Sequence, residues 1–153
     1  MPIVPKFTGG HVRMHVLQHR EKVVSAAIYA MKVLAEELVI YAKDRRNYLD
    51  QTGNLTNSIG YVITHNGNIV QTGGFTGSGE KESIQAGMAL ASTVASETKN
   101  DLAIIIVAGM NYAAYVEAKG YNVILPAKLK ALIDFPEMIK KLRTKVDSIY
   151  DFD

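Results

Sequence analysis

At residues 61–71 the chain reads Tyr61-Val62-Ile63-Thr64-His65-Asn66-Gly67-Asn68-Ile69-Val70-Gln71, two β-prone runs on either side of an Asn-Gly dipeptide. A two-residue hairpin turn needs positive φ angles, and asparagine and glycine are the residues that tolerate them best. The stretch therefore predicts a β-hairpin, which places an antiparallel pair of strands in the middle of the sequence.

The segment before the hairpin predicts one long helix over residues 12–46. Its apolar residues recur at three- and four-residue spacing and form a continuous stripe that a helix buries on one side. The stripe consists of Val24, Ala27, Ile28, Met31, Leu34, Ala35, Leu38 and Ala42. In front of the helix, residues 1–10 contain two prolines and Gly9-Gly10. They predict an irregular N-terminal arm that is loosely held unless a partner binds it.

A glycine-rich loop and a second helix are predicted after the hairpin. Residues 72–79 hold four glycines, and this composition predicts a mobile loop. Residues 80–99 predict a helix with one apolar face, although several serines and threonines weaken its helix propensity. The face consists of Ile84, Met88, Ala91 and Ala95.

The last third of the chain alternates between predicted strands and helices. Residues 102–108 are an uninterrupted, β-branched apolar run, which predicts a buried central strand. Asn111 is suited to cap a short helix that Gly120 closes. Residues 121–125 predict another strand and residues 127–133 one or two helical turns. A C-terminal helix is then predicted to start at 134–137, with Pro136 in its first turn.

These elements predict an α+β fold: a long N-terminal helix packed on a small, mainly antiparallel sheet, with a short helix and a C-terminal helix. The length of 153 residues fits a single domain over residues 11–153. A content of 48% apolar and 21% charged residues is typical of a globular protein. No run of ~18 apolar residues occurs, so no membrane partner is expected.

The composition excludes several kinds of chemistry. Without cysteine there are no disulfides, no cysteine-ligated zinc and no thiol catalysis. His11, His15 and His19 share one helix face, but no carboxylate completes a metal-ligand set at matching spacing. The loop before Lys81 lacks the Gly-Lys-Ser/Thr order of a phosphate-binding loop. No serine lies in a nucleophile elbow. We therefore expect no enzyme activity, cofactor or metal.

The C-terminal third of the chain is rich in basic residues, and they leave an alternative function open. The set is Lys119, Lys128, Lys130, Lys140, Lys141, Arg143 and Lys145. The plain interpretation is the solvated face of an amphipathic helix. The alternative is a small nucleic-acid-binding regulator that uses the basic C-terminal helix. The net charge of only +2 argues against a nucleic-acid partner.

Two further stretches are unusual in combination. The first follows the long helix and reads Tyr48-Leu49-Asp50-Gln51-Thr52-Gly53-Asn54-Leu55-Thr56-Asn57-Ser58-Ile59. The second ends the apolar strand and reads Val107-Ala108-Gly109-Met110-Asn111-Tyr112-Ala113-Ala114-Tyr115-Val116-Glu117-Ala118-Lys119-Gly120. Together they resemble the tail-completion family of tailed phages, the minor tail or head–tail joining (neck) proteins of long-tailed phages.

The resemblance rests on twelve positions and has three departures. The matching residues are Tyr48, Thr52, Gly53, Leu55, Ser58 and Ile59, then Tyr112, Ala113, Tyr115, Val116, Glu117 and Gly120. An arginine often follows the leucine of the family's turn, whereas this chain has Thr56. Glutamate and glycine are usually one residue apart, whereas two residues separate them here. The loop and helix at residues 72–99 look like an insertion.

The resemblance implies a structural component of a phage or prophage virion that acts at the head–tail junction or the top of the tail by protein–protein assembly. Its implied partners are identical subunits in a homo-oligomeric ring and the neighbouring neck and tail proteins. The implied location is the host cytoplasm during assembly, and then the virion tail or neck.

The same residues have a physical interpretation of their own. Thr52 and Asn54 can bond backbone groups where the helix turns into the strand, and Gly53 permits the sharp turn. With Leu55 they form a predicted structural turn.

Three residues of the second stretch are candidates for a subunit interface. Tyr112 and Tyr115 have apolar rings with polar tips, which suit a core edge or an interface. Glu117 is predicted near the end of a short helix, where the helix dipole disfavours a negative charge. We therefore expect its carboxylate to have a partner within the fold or on a neighbouring subunit, the plain alternative being an exposed glutamate.

Overall fold

The computed structural model describes residues 9–99 and 102–149, and of residues 9–12, 15 and 149 the backbone alone. The elements in chain order are α1 (Gly9–Asp44), α2 (Asn54–Asn57), β1 (Ile59–His65), β2 (Asn68–Gly73), α3 (Lys81–Glu97), β3 (Leu102–Ala108), α4 (Ala113–Ala118) and α5 (Leu125–Ile149). The α+β class is confirmed, with the long N-terminal helix, the small antiparallel sheet, the short helix and the C-terminal helix all present.

The predicted hairpin is confirmed and forms two strands of a three-stranded sheet. β1 pairs antiparallel with β2 on one side and antiparallel with β3 on the other, so the strand order is β2-β1-β3. The turn residues Asn66 and Gly67 have φ angles of 52° and 81°, as the Asn-Gly dipeptide predicts. A bulge between Ile63 and Thr64 shifts the register of the hairpin.

The prediction that residues 102–108 form the central strand is wrong. Within residues 9–99 and 102–149, β3 pairs only with β1 and lies at an edge of the sheet, where six of its seven residues are half-buried. The central, most buried strand is β1. β3 is apolar along its whole length because helices pack on both faces of the sheet: Ile104 and Ile106 contact the α1 side and Ile105 and Val107 the α3 side.

One face of the sheet is covered by α1 and α5. Met31, Ala35 and Val39 of α1 pack in one buried cluster with Ile59, Tyr61 and Ile63 of β1. A second cluster joins Leu34, Leu38 and Ala42 to Ala127 of α5. From Met31 to Ala42 the apolar stripe predicted for the long helix is therefore buried, together with Val39, whereas Val24 and Ile28 of the stripe are half-buried.

The opposite face is covered by α3, which confirms a helix within residues 80–99. Its buried residues are Ser83, Gly87, Ala91 and Ala95, a row of small side chains with a four-residue repeat. Met88, predicted on the packed face, is 45% exposed. Small side chains face the sheet instead of Met88 because α3 and the end of β3 lie too close together for a long side chain. A Cβ placed on Gly109 would lie 2.3 Å from the Cα of Gly87.

Residues 72 and 73 of the predicted mobile loop belong to β2, and the loop that follows packs against the body through its first residues. Phe75 is 7% exposed and joins the α3 cluster. The Lys43 ammonium of α1 donates hydrogen bonds to the carbonyl oxygens of Gly74 and Thr76. Partial burial lowers the pKa of Lys43. The buried ring of Phe75 and the hydrogen bonds from Lys43 therefore hold the first half of this loop against the body.

Three element boundaries differ from the prediction. α1 begins at Gly9, so the last two residues of the predicted arm are helical, while residues 1–8 lie outside the described part of the chain. Residues 121–124 form no strand, because Asn122 instead bonds the Asn47 side chain and the Arg45 carbonyl. α4 has Tyr112 at its N-cap, without a side-chain cap from Asn111.

The C-terminal segment is one helix rather than two. α5 runs from Leu125 through Pro136 to Ile149. A proline inside a helix removes one backbone hydrogen bond, yet the segment before it is held by buried Ala127 and by the Lys130–Asp134 ion pair one turn apart. The burial of Ala127 and the Lys130–Asp134 ion pair keep the residues before Pro136 helical, so the helix starts at Leu125 and not at the predicted residues 134–137.

Candidate functional site

The two stretches that carry the family resemblance meet at Ser58, where the short helix α2 leads into β1. The Ser58 carbonyl accepts a hydrogen bond from the Gly109 N–H at 3.1 Å, and its Oγ accepts one from the Met110 N–H at 3.3 Å. The Ser58 hydroxyl in turn donates to the Leu55 carbonyl at 2.8 Å. Residues far apart in sequence thus form one hydrogen-bonded corner at the end of β3.

The predicted structural turn is present, and each of its four residues has a definable role. Gly53 has a φ of 75°, a left-handed conformation that favours glycine. Asn54 N–H donates to Thr52 Oγ1 at 3.3 Å. The Asn54 Oδ1 accepts a hydrogen bond from the Glu80 N–H at 2.7 Å. Leu55 is 2% exposed in the main core. The turn therefore also fastens the start of α3.

Asp50, which the sequence analysis did not single out as a site residue, is the principal acceptor at this turn. Its Oδ2 accepts hydrogen bonds from the Thr56 N–H at 2.8 Å and the Thr56 hydroxyl at 2.6 Å. Tyr48 OH lies 3.4 Å from the same hydroxyl. Burial raises the pKa of Tyr48 and, together with the charge of Asp50, that of Tyr112. Tyr48, Asp50 and Tyr112 are therefore neighbours. They form a second contact, besides the one at Ser58, between the stretches 48–59 and 107–120.

Glu117 has its partner within the fold. Its Oε1 accepts hydrogen bonds from the Ile124 N–H at 3.1 Å and the Leu125 N–H at 2.5 Å, at the start of α5. Gly120, with a φ of 88°, closes α4 and turns the chain back. The carboxylate of Glu117 thus lies at the positive end of the next helix dipole, which favours it.

The two tyrosines of the second stretch are on the surface. Tyr115 is 64% exposed, and the Lys119 ammonium lies 5.2 Å from its ring centre. Tyr112 is 38% exposed, occupies the N-cap position of α4 without a side-chain capping bond, and feels the charge of Asp50. Of the three candidate interface residues, Tyr115 has the largest uncommitted apolar surface, whereas Glu117 is engaged by the backbone of its own chain.

A buried amide lies beneath the glycine-rich loop. Asn57 is fully buried, and neither atom of its amide has a hydrogen-bond partner among the described residues. A Cβ placed on Gly77 would lie 2.0 Å from Asn57 Oδ1. Glycine at position 77 therefore lets the loop close over this side chain.

The described residues offer no assembled metal centre. Within them, no group of three or more histidine or acidic side chains is placed to share a metal ion. The side chains of His11 and His15 lie outside the description, and His19 is half-buried. Lys81 is exposed on the first turn of α3. None of the helices in the described part combines the length and apolarity needed to span a bilayer.

Comparison of the chain with protein-family models, with curated proteins and with solved structures finds no match.

Proposed function

We propose that the chain is a structural component of a phage or prophage virion, which acts at the head–tail junction or the top of the tail by protein–protein assembly. The observation that carries the proposal is the corner at Ser58. The two stretches that resemble the tail-completion family are hydrogen-bonded to each other there, at 3.1 and 3.3 Å, although they are distant in sequence. The residues that carry the resemblance are therefore close together in space, as residues of one structural motif would be.

The chemistry of the corner also supports a binding role. Its polar side chains, Asp50, Asn54, Ser58 and Glu117, are used on backbone groups. Groups so committed shape a surface instead of attacking a substrate. Tyr115 stands beside them with 64% of its surface exposed, and tyrosine is enriched in protein interfaces. We propose Tyr115 as the residue of this stretch that contacts a neighbouring subunit, with Tyr112 at its margin.

The proposal is tested by deleting the gene from the genome that carries it and examining the particles by electron microscopy. Loss of a joining component should leave filled heads and free tails that fail to unite. Complementation with Tyr115→Ala should join fewer particles than complementation with Tyr29→Ala, a matched control that is 69% exposed on α1. Normal virions from the deletion strain would overturn the assignment to the neck or tail.

The alternative of a nucleic-acid-binding regulator is favoured by one observation. Lys140, Lys141, Arg143 and Lys145 are all exposed on the last turns of α5. If they contact phosphates, affinity for duplex DNA falls steeply with added salt. Gel-shift titration of the wild type against a variant with all four replaced by glutamine decides between the two functions. Equal, weak binding by both proteins would eliminate the regulator.

A further inference from the structure

We infer that the free edge of β3 binds an extended apolar segment of a partner protein, which joins the sheet as a fourth strand and places its side chains in the groove between β3 and α5. The inference goes beyond the proposed function, because it concerns another surface of the molecule and does not depend on a role in the virion. It depends on two features that lie side by side, the unpaired backbone of an edge strand and an apolar groove along it.

The backbone of β3 has a set of hydrogen-bonding groups that no strand among the described residues uses. The Gly109 N–H points towards β1, where it donates to the Ser58 carbonyl. Because the groups of successive residues in a strand point to opposite sides and the β1–β3 register is continuous, every second residue before Gly109 also faces β1. The residues between them have N–H and C=O groups that point away from the sheet. This outward set is Leu102, Ile104, Ile106 and Ala108.

The edge of β3 lacks the features by which natural sheets protect their edges. Charged residues, prolines and bulges on an edge strand hinder the addition of another strand. β3 contains no charged residue and no proline, and its pairing with β1 has no bulge. β2, the opposite edge, differs in that it carries Asn68, Gln71 and Thr72 and has a bulge in its pairing. The contrast favours β3 as the edge that accepts a strand.

An apolar groove lies beside this edge. Its volume of about 420 Å³ is room for roughly 14 water molecules at ~30 Å³ each, and apolar walls offer these waters few hydrogen bonds. Ile104 and Ile106 line it from the strand. Leu132 and Phe135 line it from α5, with 66% and 38% of their surfaces exposed. The other lining residues are Leu38, Lys128, Ala131 and Pro136.

The edge and the groove select the same kind of ligand. Ile104 and Ile106 have outward backbone groups, and their side chains lie on the face that α1 and α5 cover. A strand paired with them, at a spacing of about 4.8 Å, directs every second side chain to that face. Two apolar side chains with one residue between them therefore enter the groove together. Lys128, the charged residue of the lining, favours an acidic residue beside them.

The two ends of the chain that lie outside the description are too short to fill the groove. Ile149 lies about 20 Å along α5 from Pro136, whereas residues 150–153 span at most about 14 Å. Gly9 lies about 43 Å along α1 from Leu38, whereas residues 1–8 span at most about 29 Å. Neither segment can therefore serve as the added strand.

The edge strands of a second copy do not fit either. The Ile104 and Ile106 side chains of its β3 are already packed in its own core. The residues of its β2 alternate between two faces, and neither face has two successive aliphatic side chains. One face has Asn68, Val70 and Thr72, and the other has Ile69, Gln71 and Gly73. The fitting partner is therefore another protein, whose extended segment has large apolar residues at alternate positions and an acidic residue next to them.

Peptide binding and hydrogen exchange in the purified protein test this inference. The probes are acetylated peptides in which glutamate or threonine alternates with isoleucine, leucine or phenylalanine, at about 1 mM, where even millimolar affinity is detected. In the free protein, the amides of Ile104 and Ile106 should exchange faster than those of Ile105 and Val107, which face β1. A bound peptide should slow the first pair. Slow exchange of that pair in the free protein, or no binding by any peptide, would overturn the inference.

N-methylated forms of the peptide that binds most tightly distinguish strand pairing from simple apolar contact. One form is methylated on the nitrogens of its apolar residues and the other on those of its polar residues. Only one of these two sets can face β3, because backbone groups alternate along a strand. Binding should therefore be lost in one form and retained in the other. Equal affinities of the two forms would show that the peptide does not pair with the edge.

Leu132→Glu should weaken peptide binding by about tenfold or more, because it removes a buried apolar contact and adds a charge of the same sign as the peptide's. The matched control is Ile133→Glu. Ile133 is the next residue of α5, is 70% exposed and lines a different groove with Tyr41, so this variant should bind like the wild type. Circular dichroism checks that both variants fold. Equal affinities of the two folded variants would place the peptide elsewhere, and none of these results alters the particle count that tests the proposed function.

Discussion

At the scale of single residues, the acidic side chains of the site serve the starts of helices. Asp50 accepts hydrogen bonds from the N–H and the hydroxyl of Thr56 in α2, and Glu117 accepts one from the N–H of Ile124, just before α5, and one from that of Leu125, its first residue. The N–H groups of a helix start lack intrahelical partners and carry the positive end of the dipole. A carboxylate at a helix start therefore accepts hydrogen bonds from these N–H groups and is also stabilised by the positive end of the helix dipole.

Glu117→Ala should therefore lower the free energy of unfolding by ~1 kcal/mol, the usual loss for an N-terminal capping group. Urea denaturation followed by circular dichroism measures the change. Glu137→Ala is the matched control, an exposed glutamate on the same helix, and should change stability by less than ~0.5 kcal/mol. Equal losses in the two variants would show that Glu117 does not anchor the start of α5.

The roles of the site residues could be predicted in part. Gly53 as the turn residue follows from the backbone requirement of the turn. The helix dipole predicts a partner for Glu117, but it does not decide between a partner within the fold and one on a neighbouring subunit. The acceptor role of Asp50 and the contact of Ser58 with Met110 could not be predicted, since each depends on how two segments meet in space. An aspartate six residues before a threonine carries no periodic signal.

At the scale of elements, the packing of α3 depends on having almost no side chain at its closest approach to the sheet. A Cβ on Gly87 would lie 2.5 Å from the Ser58 carbonyl oxygen and 2.8 Å from the Phe75 ring. The four-residue row of small side chains is what allows α3 to cover Val62 and Val107.

Gly87→Ala should consequently destabilise the protein by ~1–3 kcal/mol through overpacking, although alanine is the better helix former by ~1 kcal/mol. Ser92→Ala, at an exposed position of the same helix, should instead give a small gain from propensity alone. Thermal melts of both variants separate the two effects. If the melting temperature of Gly87→Ala were equal to or higher than that of the wild type, α3 could move away from the sheet with little loss of stability.

Elements with a strong local signal were predictable, namely α1, the hairpin and α3. The edge position of β3 could not be predicted. A continuous apolar run indicates that both faces of the strand are covered, but it does not indicate how many strands pair with it. Pro136 illustrates the converse: its local signal starts a helix, but Ala127 and the Lys130–Asp134 pair hold the preceding turns helical.

At the scale of the whole molecule, one phenol ties the sheet to its covering helix. The Tyr61 hydroxyl on β1 donates a hydrogen bond to Glu36 Oε1 on α1 at 3.1 Å. Burial first, then the hydrogen bond and charge of Glu36, raise the pKa of Tyr61 from 10.0 to about 12. The folded chain therefore keeps this proton over a pH range in which the unfolded chain releases it.

Stability should accordingly fall with rising pH in that range. The contribution of Tyr61 is complete below the unfolded pKa of 10.0 and is lost as the pH rises through the folded pKa of about 12. Urea midpoints measured from pH 9 to pH 12 should decline, and Tyr61→Phe should flatten the decline. Tyr29→Phe, exposed on α1, is the control, and an identical slope in both variants would contradict the assignment.

The strand order has a kinetic consequence. β1 pairs on one side with β2, its neighbour in the chain, and on the other with β3, which follows only after α3. A hairpin closes in about 1–10 μs, whereas the longer connection must first overcome more loop-closure entropy. The edge of β1 that pairs with β3 should therefore be the later of the two to find its partner, and an unpaired strand edge is a site where aggregation can start.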